Sequence, residues 1–221
     1  MGTPFTIYFA GALFTHKELI GNALLASYIA RQSQGRYTCV LPQDLEQATA
    51  RAVDIRNQDL KLVMLCDLAI FNFDGSDLDS GTVVEFMFAK FLDIPAVLVR
   101  SDFRSAGDQL KDSDPWNLMC SFYPRTRLVQ FNAMAWYQEV MQTAATLADA
   151  LPRLYERMAT ELIAQLDAVR SEPPLPKDHQ QTIENLYRWV LRFPGGGFSD
   201  ACAEPQFIER LISRKVSQGL L

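Results

Sequence analysis

Five short apolar segments alternate with helical ones along most of this 221-residue chain. The segments at residues 6–10 (TIYFA), 37–41, 67–73, 94–99 (IPAVLV) and 127–131 (RLVQF) are continuous apolar runs rather than alternating ones. Strands of that kind are buried on both faces, as in a parallel sheet with helices on either side. The expected fold is therefore α/β: a flavodoxin-like three-layer sandwich with a five-stranded parallel sheet, followed by a C-terminal helical extension. The division expected is an α/β unit over residues 1–150 and an extension over residues 151–221, serving as an interface or a lid rather than as an independent domain.

The first strand stops at Gly11. A helix over residues 15–34 follows, with Thr15 as cap, Glu18 three residues later and Gly35 as terminator. The second strand is closed by Pro42. Residues 45–55 read as a helix, and Asn57 as the cap of another that runs to residue 65. After the third strand, Asp79-Ser80-Gly81-Thr82 opens an apolar helix with Glu85 one turn inside it. Residues 133–169 read as one long helix, broken near Leu151 and Pro152. The tail has a proline-rich break at residues 172–176 and two amphipathic pieces, residues 181–191 and 204–216. Their apolar stripes (Ile183, Leu186, Tyr187, Val190; Ile208, Leu211, Ile212) must bury against something. Between them Gly195-Gly196-Gly197 has no following Lys-Ser/Thr and no preceding parallel strand, so it reads as a flexible surface turn rather than a phosphate loop.

Composition narrows the function. A net charge of −5 gives no basic footprint for nucleic acid. Cys39, Cys66, Cys120 and Cys202 lie far apart, as in a reduced cytoplasmic protein, and two histidines (His16, His179) leave little for a zinc site or a His-based triad. Neither a membrane span nor a secretory signal is expected, and the Gly2 myristoylation pattern is read as chance. No metal and no cofactor is expected.

Ligands of such sheets bind beyond the carboxyl ends of the strands. That rule selects the loops at residues 11–15, 42–43, 74–81 and 101–102. Glu85 sits in apolar company (Val83, Val84, Phe86, Met87, Phe88), where a carboxylate must be paired, protonated or used. Taken alone it is a core-edge Glu with an Arg or Tyr partner, and Asp79 alone is a helix cap. With Asp59 and Tyr8 expected at the same edge, several carboxylates and a Tyr point to glycosyl-bond chemistry.

At these residues the chain resembles the nucleoside 2-deoxyribosyltransferases. The family's first strand is similar to residues 7–14 (IYFAGALF), and its catalytic segment to residues 79–85 (DSGTVVE). Its Asn/Asp pair matches Asn57-Gln58-Asp59, 20 and 26 positions before Asp79 and Glu85. Gln43 matches its base-side Gln, and residues 114–119 (DPWNLM) its Asn-Leu-Met segment; the likeness spans residues 5–140. It implies Glu85 as a nucleophile at C1′ of a 2′-deoxynucleoside, with a second nucleobase then taking the sugar. Tyr8 would hold Glu85, Asp59 would shuttle the proton and Asp79 would bind the sugar, the last two roles being exchangeable. Gly11, Phe14 and Gln43 would flank sugar and base. Asn117 and Met119 would complete a neighbour's site in a homo-oligomer, dimer or hexamer; without the resemblance they read as a helix start on their own core. The alternatives are an N-glycosidase of the same fold and a non-catalytic nucleoside-binding sensor. The first loop lacks a basic residue before Lys17, which favours phosphate-free nucleosides.

Overall fold

A computed structural model describes residues 3–45, 52–104, 116–175 and 180–221 of the protein. Five strands, β1 (Phe5–Gly11), β2 (Tyr37–Val40), β3 (Leu68–Asn72), β4 (Ala96–Arg100) and β5 (Thr126–Gln130), form one sheet in the order β2-β1-β3-β4-β5. All four pairings are parallel, with Tyr8 opposite Ala69 and Phe71 opposite Leu98. Order and direction are those of the flavodoxin-like doubly wound sheet.

Side chains of a strand alternate between faces, so each apolar run serves two cores. Ile7, Phe9, Ile70, Val97 and Val99 pack against α1 (His16–Gln32) and α5 (Leu147–Arg170) through Leu25, Ile29, Leu162 and Leu166. Tyr8, Ala10, Phe71 and Leu98 face α2 (Ala52–Leu65) and α3 (Ser80–Phe91), meeting Leu60, Met64, Phe86 and Ala89. The short helix α4 (Ala133–Met141) lies against α5.

The extension supplies α6 (Gln180–Val190), α7 (Phe198–Ala201) and α8 (Phe207–Ser217), and its apolar stripes close on the α2–α3 side of the molecule. Tyr187, Val190, Phe198 and Ile212 are buried there, and Phe198 meets the Phe88 ring edge-on at 5.8 Å. Polar ties accompany them. Tyr187 Oη donates to the Leu92 carbonyl at 3.2 Å, Lys215 Nζ to that of Cys66, and Arg125 Nη2 to that of Leu220 at 2.9 Å. Arg125 is itself neutralised by Asp93 at 2.7 Å, both being buried. Burial draws Lys215 down to about 8, against the pull of Asp67, so its ammonium is stabilised by that carboxylate.

Several local expectations are corrected. Asn57 does not start a helix: α2 is continuous from Ala52, and Asn57 lies inside it with its side chain turned to the extension. The remaining part of the expected helix over residues 45–55 lies at residues 46–51, outside the described residues. The long helix over 133–169 is interrupted at residues 142–146, not at Pro152. Thr146 and Asp149 form a capping box that starts α5, and Pro152 is accommodated early in that helix. The division drawn at residue 150 therefore falls within α5, which is an outer layer of the sandwich. Finally, the glycine turn rests on α2, with the Gly196 carbonyl accepting from Asn57.

Because Phe198 joins the extension to α3, Phe198→Ala should cost ~3–5 kcal/mol of stability, read from the urea midpoint at constant m-value.

Candidate active site

A cavity of about 420 Å³ opens at the carboxyl ends of β1 and β2, between the first turns of α2 and of α3. Its lining is built from four places. Gly11 ends β1, where a Cβ would stand 3.0 Å from the Asn72 Cβ, so any larger residue would press this strand end against β3. Leu13 and Phe14 follow in a loop fixed by the cap of α1: Glu18 Oε2 accepts from the Phe14 and Thr15 amides at 2.9 and 2.8 Å. Pro42 and Gln43 stand in a short 3₁₀ turn after β2, and Gln43 Nε2 donates to the Leu19 carbonyl at 2.9 Å. The two helices supply the rest, Ile55, Gln58 and Asp59 from α2 and Ser80, Gly81, Thr82 and Glu85 from α3 with its cap Asp79; steps of three or four bring Ile55 to the face of Asp59 and Thr82 to that of Glu85.

Tyr8 is fully buried and its Oη donates to Glu85 Oε1 at 2.7 Å. Burial, reinforced by the charges of Glu85 and Asp59, pushes the Tyr8 hydroxyl far above its ordinary value, so it remains a donor. Burial also pushes Glu85 up to about 7; the Tyr8 hydrogen bond works against that rise, while Asp59 and Asp79 add to it. Asp59 is pushed up to about 6 by burial. Asp79 caps α3: its Oδ2 accepts from the Thr82 amide at 2.7 Å and the Thr82 hydroxyl at 2.8 Å. An ionisable carboxylate with a fixed donor, beside a second carboxyl poised near neutrality, can act as nucleophile and proton carrier.

Tyr8, Asp59, Asp79 and Glu85 thus converge at one sheet edge, with Gly11, Phe14 and Gln43 in the same lining. Phe14 is 78% exposed at the mouth. Asn117 and Met119 do not line this cavity. Asn117 Oδ1 accepts from the Cys120 amide and so caps its own 3₁₀ turn, while Met119 is 75% exposed. The expected loops at Asp74 and Ser101 bind each other and face a second cavity of about 390 Å³ on the α1–α5 side. Ile55 and Gln58 were not foreseen; their signal was position, one turn and one residue before Asp59. Among the described residues no group of three or more His, Cys, Asp or Glu is arranged to hold a metal ion, and no helix is long and apolar enough to cross a membrane.

A parallel sheet with a carboxylate-lined cavity beyond its strand ends defines a class of α/β ligand-binding protein. Within that class, the sequence profile of the nucleoside 2-deoxyribosyltransferase family matches residues 7–119, just over half of the chain, and the chain belongs to that family. No curated protein matches it. Similar solved structures include a conserved protein from Enterococcus faecalis V583 (25% identity, 58% of this chain and 92% of that one, TM-score 0.45). A 2-desoxiribosyltransferase from Leishmania mexicana is 23% identical over 62% of this chain and 98% of its own (TM-score 0.44). The 2-deoxyribosyltransferase of Bacillus psychrosaccharolyticus is 19% identical over 50% and 87% (TM-score 0.39).

A carboxyl raised from 4.5 to about 7 by folding binds its proton more tightly in the folded state. Stability therefore falls as pH rises through that window. Glu85→Gln should be the more stable protein at pH 8, by up to ~3 kcal/mol, with the difference vanishing near pH 4 in denaturant titrations.

Proposed function

We propose that this protein moves 2-deoxyribose from a 2′-deoxynucleoside to another nucleobase by double displacement through a covalent deoxyribosyl–Glu85 intermediate. The observation that carries the reading is the Glu85 carboxylate held at 2.7 Å by Tyr8 on the wall it shares with Asp59 and Asp79. Glu85 attacks C1′ from the face opposite the base; the glycosidic C–N bond breaks with inversion, and Asp59 gives its proton to the departing base nitrogen. The incoming base attacks C1′ from the vacated side, the C–O bond to Glu85 breaks, and Asp59 takes the proton from that base. Two inversions restore the β configuration. Both steps pass through an oxocarbenium-like state, which the Glu85 anion stabilises. Asp79 keeps one oxygen for its cap and offers the other to a sugar hydroxyl. Gln43 and Phe14 contact the base by hydrogen bonding and by apolar contact. Among the described residues the lining contains three carboxylates and no Lys, Arg or His, which supports phosphate-free substrates.

Asn117 and Met119 are proposed to complete the site of a neighbouring copy in a homo-oligomer. Their place outside their own cavity and the exposure of Met119 support this.

The test is base exchange. A deoxynucleoside supplied with a different free base should yield the new deoxynucleoside, and Glu85→Ala should lose at least ~10³-fold of that rate. Free deoxyribose released equally fast without acceptor would make the protein a hydrolase, and no turnover at all would make it a binding module. The exchange rate should be bell-shaped in pH with its maximum between about 6 and about 7, falling below as Glu85 gains a proton and above as Asp59 loses one. Mixing and reassembling Glu85→Ala with Asn117→Ala should restore part of the activity that either lacks alone. Failure to restore any would sink the shared site.

A further inference from the structure

The glycine triplet lies beyond the family match at residues 7–119, yet it touches the helix that carries Asp59. On α2, Ile55, Gln58 and Asp59 face the cavity, whereas Arg56 and Asn57 face the extension. The buried apolar anchors of α2, Leu60, Val63 and Met64, all come after Asp59; among the described residues of the turns before them only Asn57 is buried, at 3% exposure. The half of the helix that forms the cavity wall is thus tied down mainly by polar contacts from behind. Asn57 Nδ2 donates to the Gly196 carbonyl at 2.9 Å, and Asn57 Oδ1 accepts from Arg56 Nη2 at 2.7 Å. Arg56 Nη2 also donates to the Gly195 carbonyl at 3.0 Å.

The turn is shaped for this approach. Gly195, Gly196 and Gly197 have φ of +60°, +59° and +82°, in the left-handed region that side chains disfavour. A Cβ on Gly196 would stand 2.7 Å from Arg56 Nη2 and 2.8 Å from Val53 Cγ2. Phe198, next in the chain, is fully buried and fixes the turn to α3. A further tie follows one turn along, where Lys61 Nζ donates to the Ala201 carbonyl at 2.8 Å.

We propose that the glycine turn of the extension is a positioning element for Asp59, acting through Asn57 and Arg56 to set the rotation and depth of the first turns of α2. None of Arg56, Asn57 and Gly196 lines the cavity, so they act only through the helix. Side-chain tips stand ~5–6 Å from a helix axis, and a rotation of ~10° carries a carboxyl ~1 Å. A misplacement of ~1 Å can cost ~100-fold in rate. The inference rests on the proton-carrying role proposed for Asp59, but its first readout does not depend on it.

The test compares wild type, Asn57→Ala and Arg56→Ala; Arg56 is exposed, so its truncation leaves no buried hole. First, the Asp59 carboxyl is titrated by ¹³C NMR. In both variants its midpoint should move from about 6 toward the ordinary carboxylate range, as a freed α2 admits solvent to the group. A midpoint unmoved in both would overturn the proposal, whatever the activity. Second, first-turnover release of the leaving group is compared for two donors: a natural deoxynucleoside, whose base leaves protonated, and 4-nitrophenyl 2-deoxyriboside, whose phenolate leaves without a proton. The variants should lose ~10- to 100-fold on the first and less than ~3-fold on the second. Equal losses on both would mean general damage and would also overturn it. Wild type inactive on both donors would remove the deoxyribosyl reading itself, while the titration would still decide whether the turn places Asp59.

Discussion

The hydrogen bond from Tyr8 to Glu85 ties the sheet to the helix that closes it. It joins a fully buried side chain of β1 to the single carboxylate on an otherwise apolar stretch of α3, at the point where both elements reach the cavity. In the same core as Tyr8, Phe86 meets Phe71, Phe73 and Tyr123 edge-on at 5.2–6.1 Å. Burial makes an ionised Glu85 costly, and the phenol returns part of the cost. The balance leaves the carboxyl near neutrality instead of fully protonated. Removing the donor would raise the group further, and opening the site to solvent would lower it.

Much of the architecture was legible because its signals are local. Apolar runs bounded by Gly11, Gly35 and Pro42 announced strands covered on both sides, and Thr15-Glu18 announced the cap that holds the Phe14 loop. The convergence of Tyr8, Asp59, Asp79 and Glu85 followed from the rule that parallel strands deliver their ends to one edge. That rule names an edge and not a face. It therefore could not tell that Asp74 and Ser101 turn to the α1–α5 side while Asp79 turns to the other.

What escaped the sequence depends on partners far along the chain. Asn57 has the chemistry of a cap, and nothing nearby reveals that its amide is used by a carbonyl 139 positions later. The start of α5 is a different case. The Thr146-Asp149 box was present in the sequence but was outweighed by Pro152, a breaker that α5 nonetheless contains one turn and a half after its start. The destination of the amphipathic tail was open for a related reason: a hydrophobic stripe specifies that it must be covered and not by what.

That cover comes from the chain itself. Helices that bury Phe88, Leu92 and Ile94 are joined to α5 by covalent continuity, so their local concentration does not fall when the protein is diluted. A face covered by a second copy would be bared as the copies dissociate, and its melting temperature would follow protein concentration. Here the apolar stripe on the α2–α3 side is covered by helices of the same chain, so that this cover is not lost on dilution.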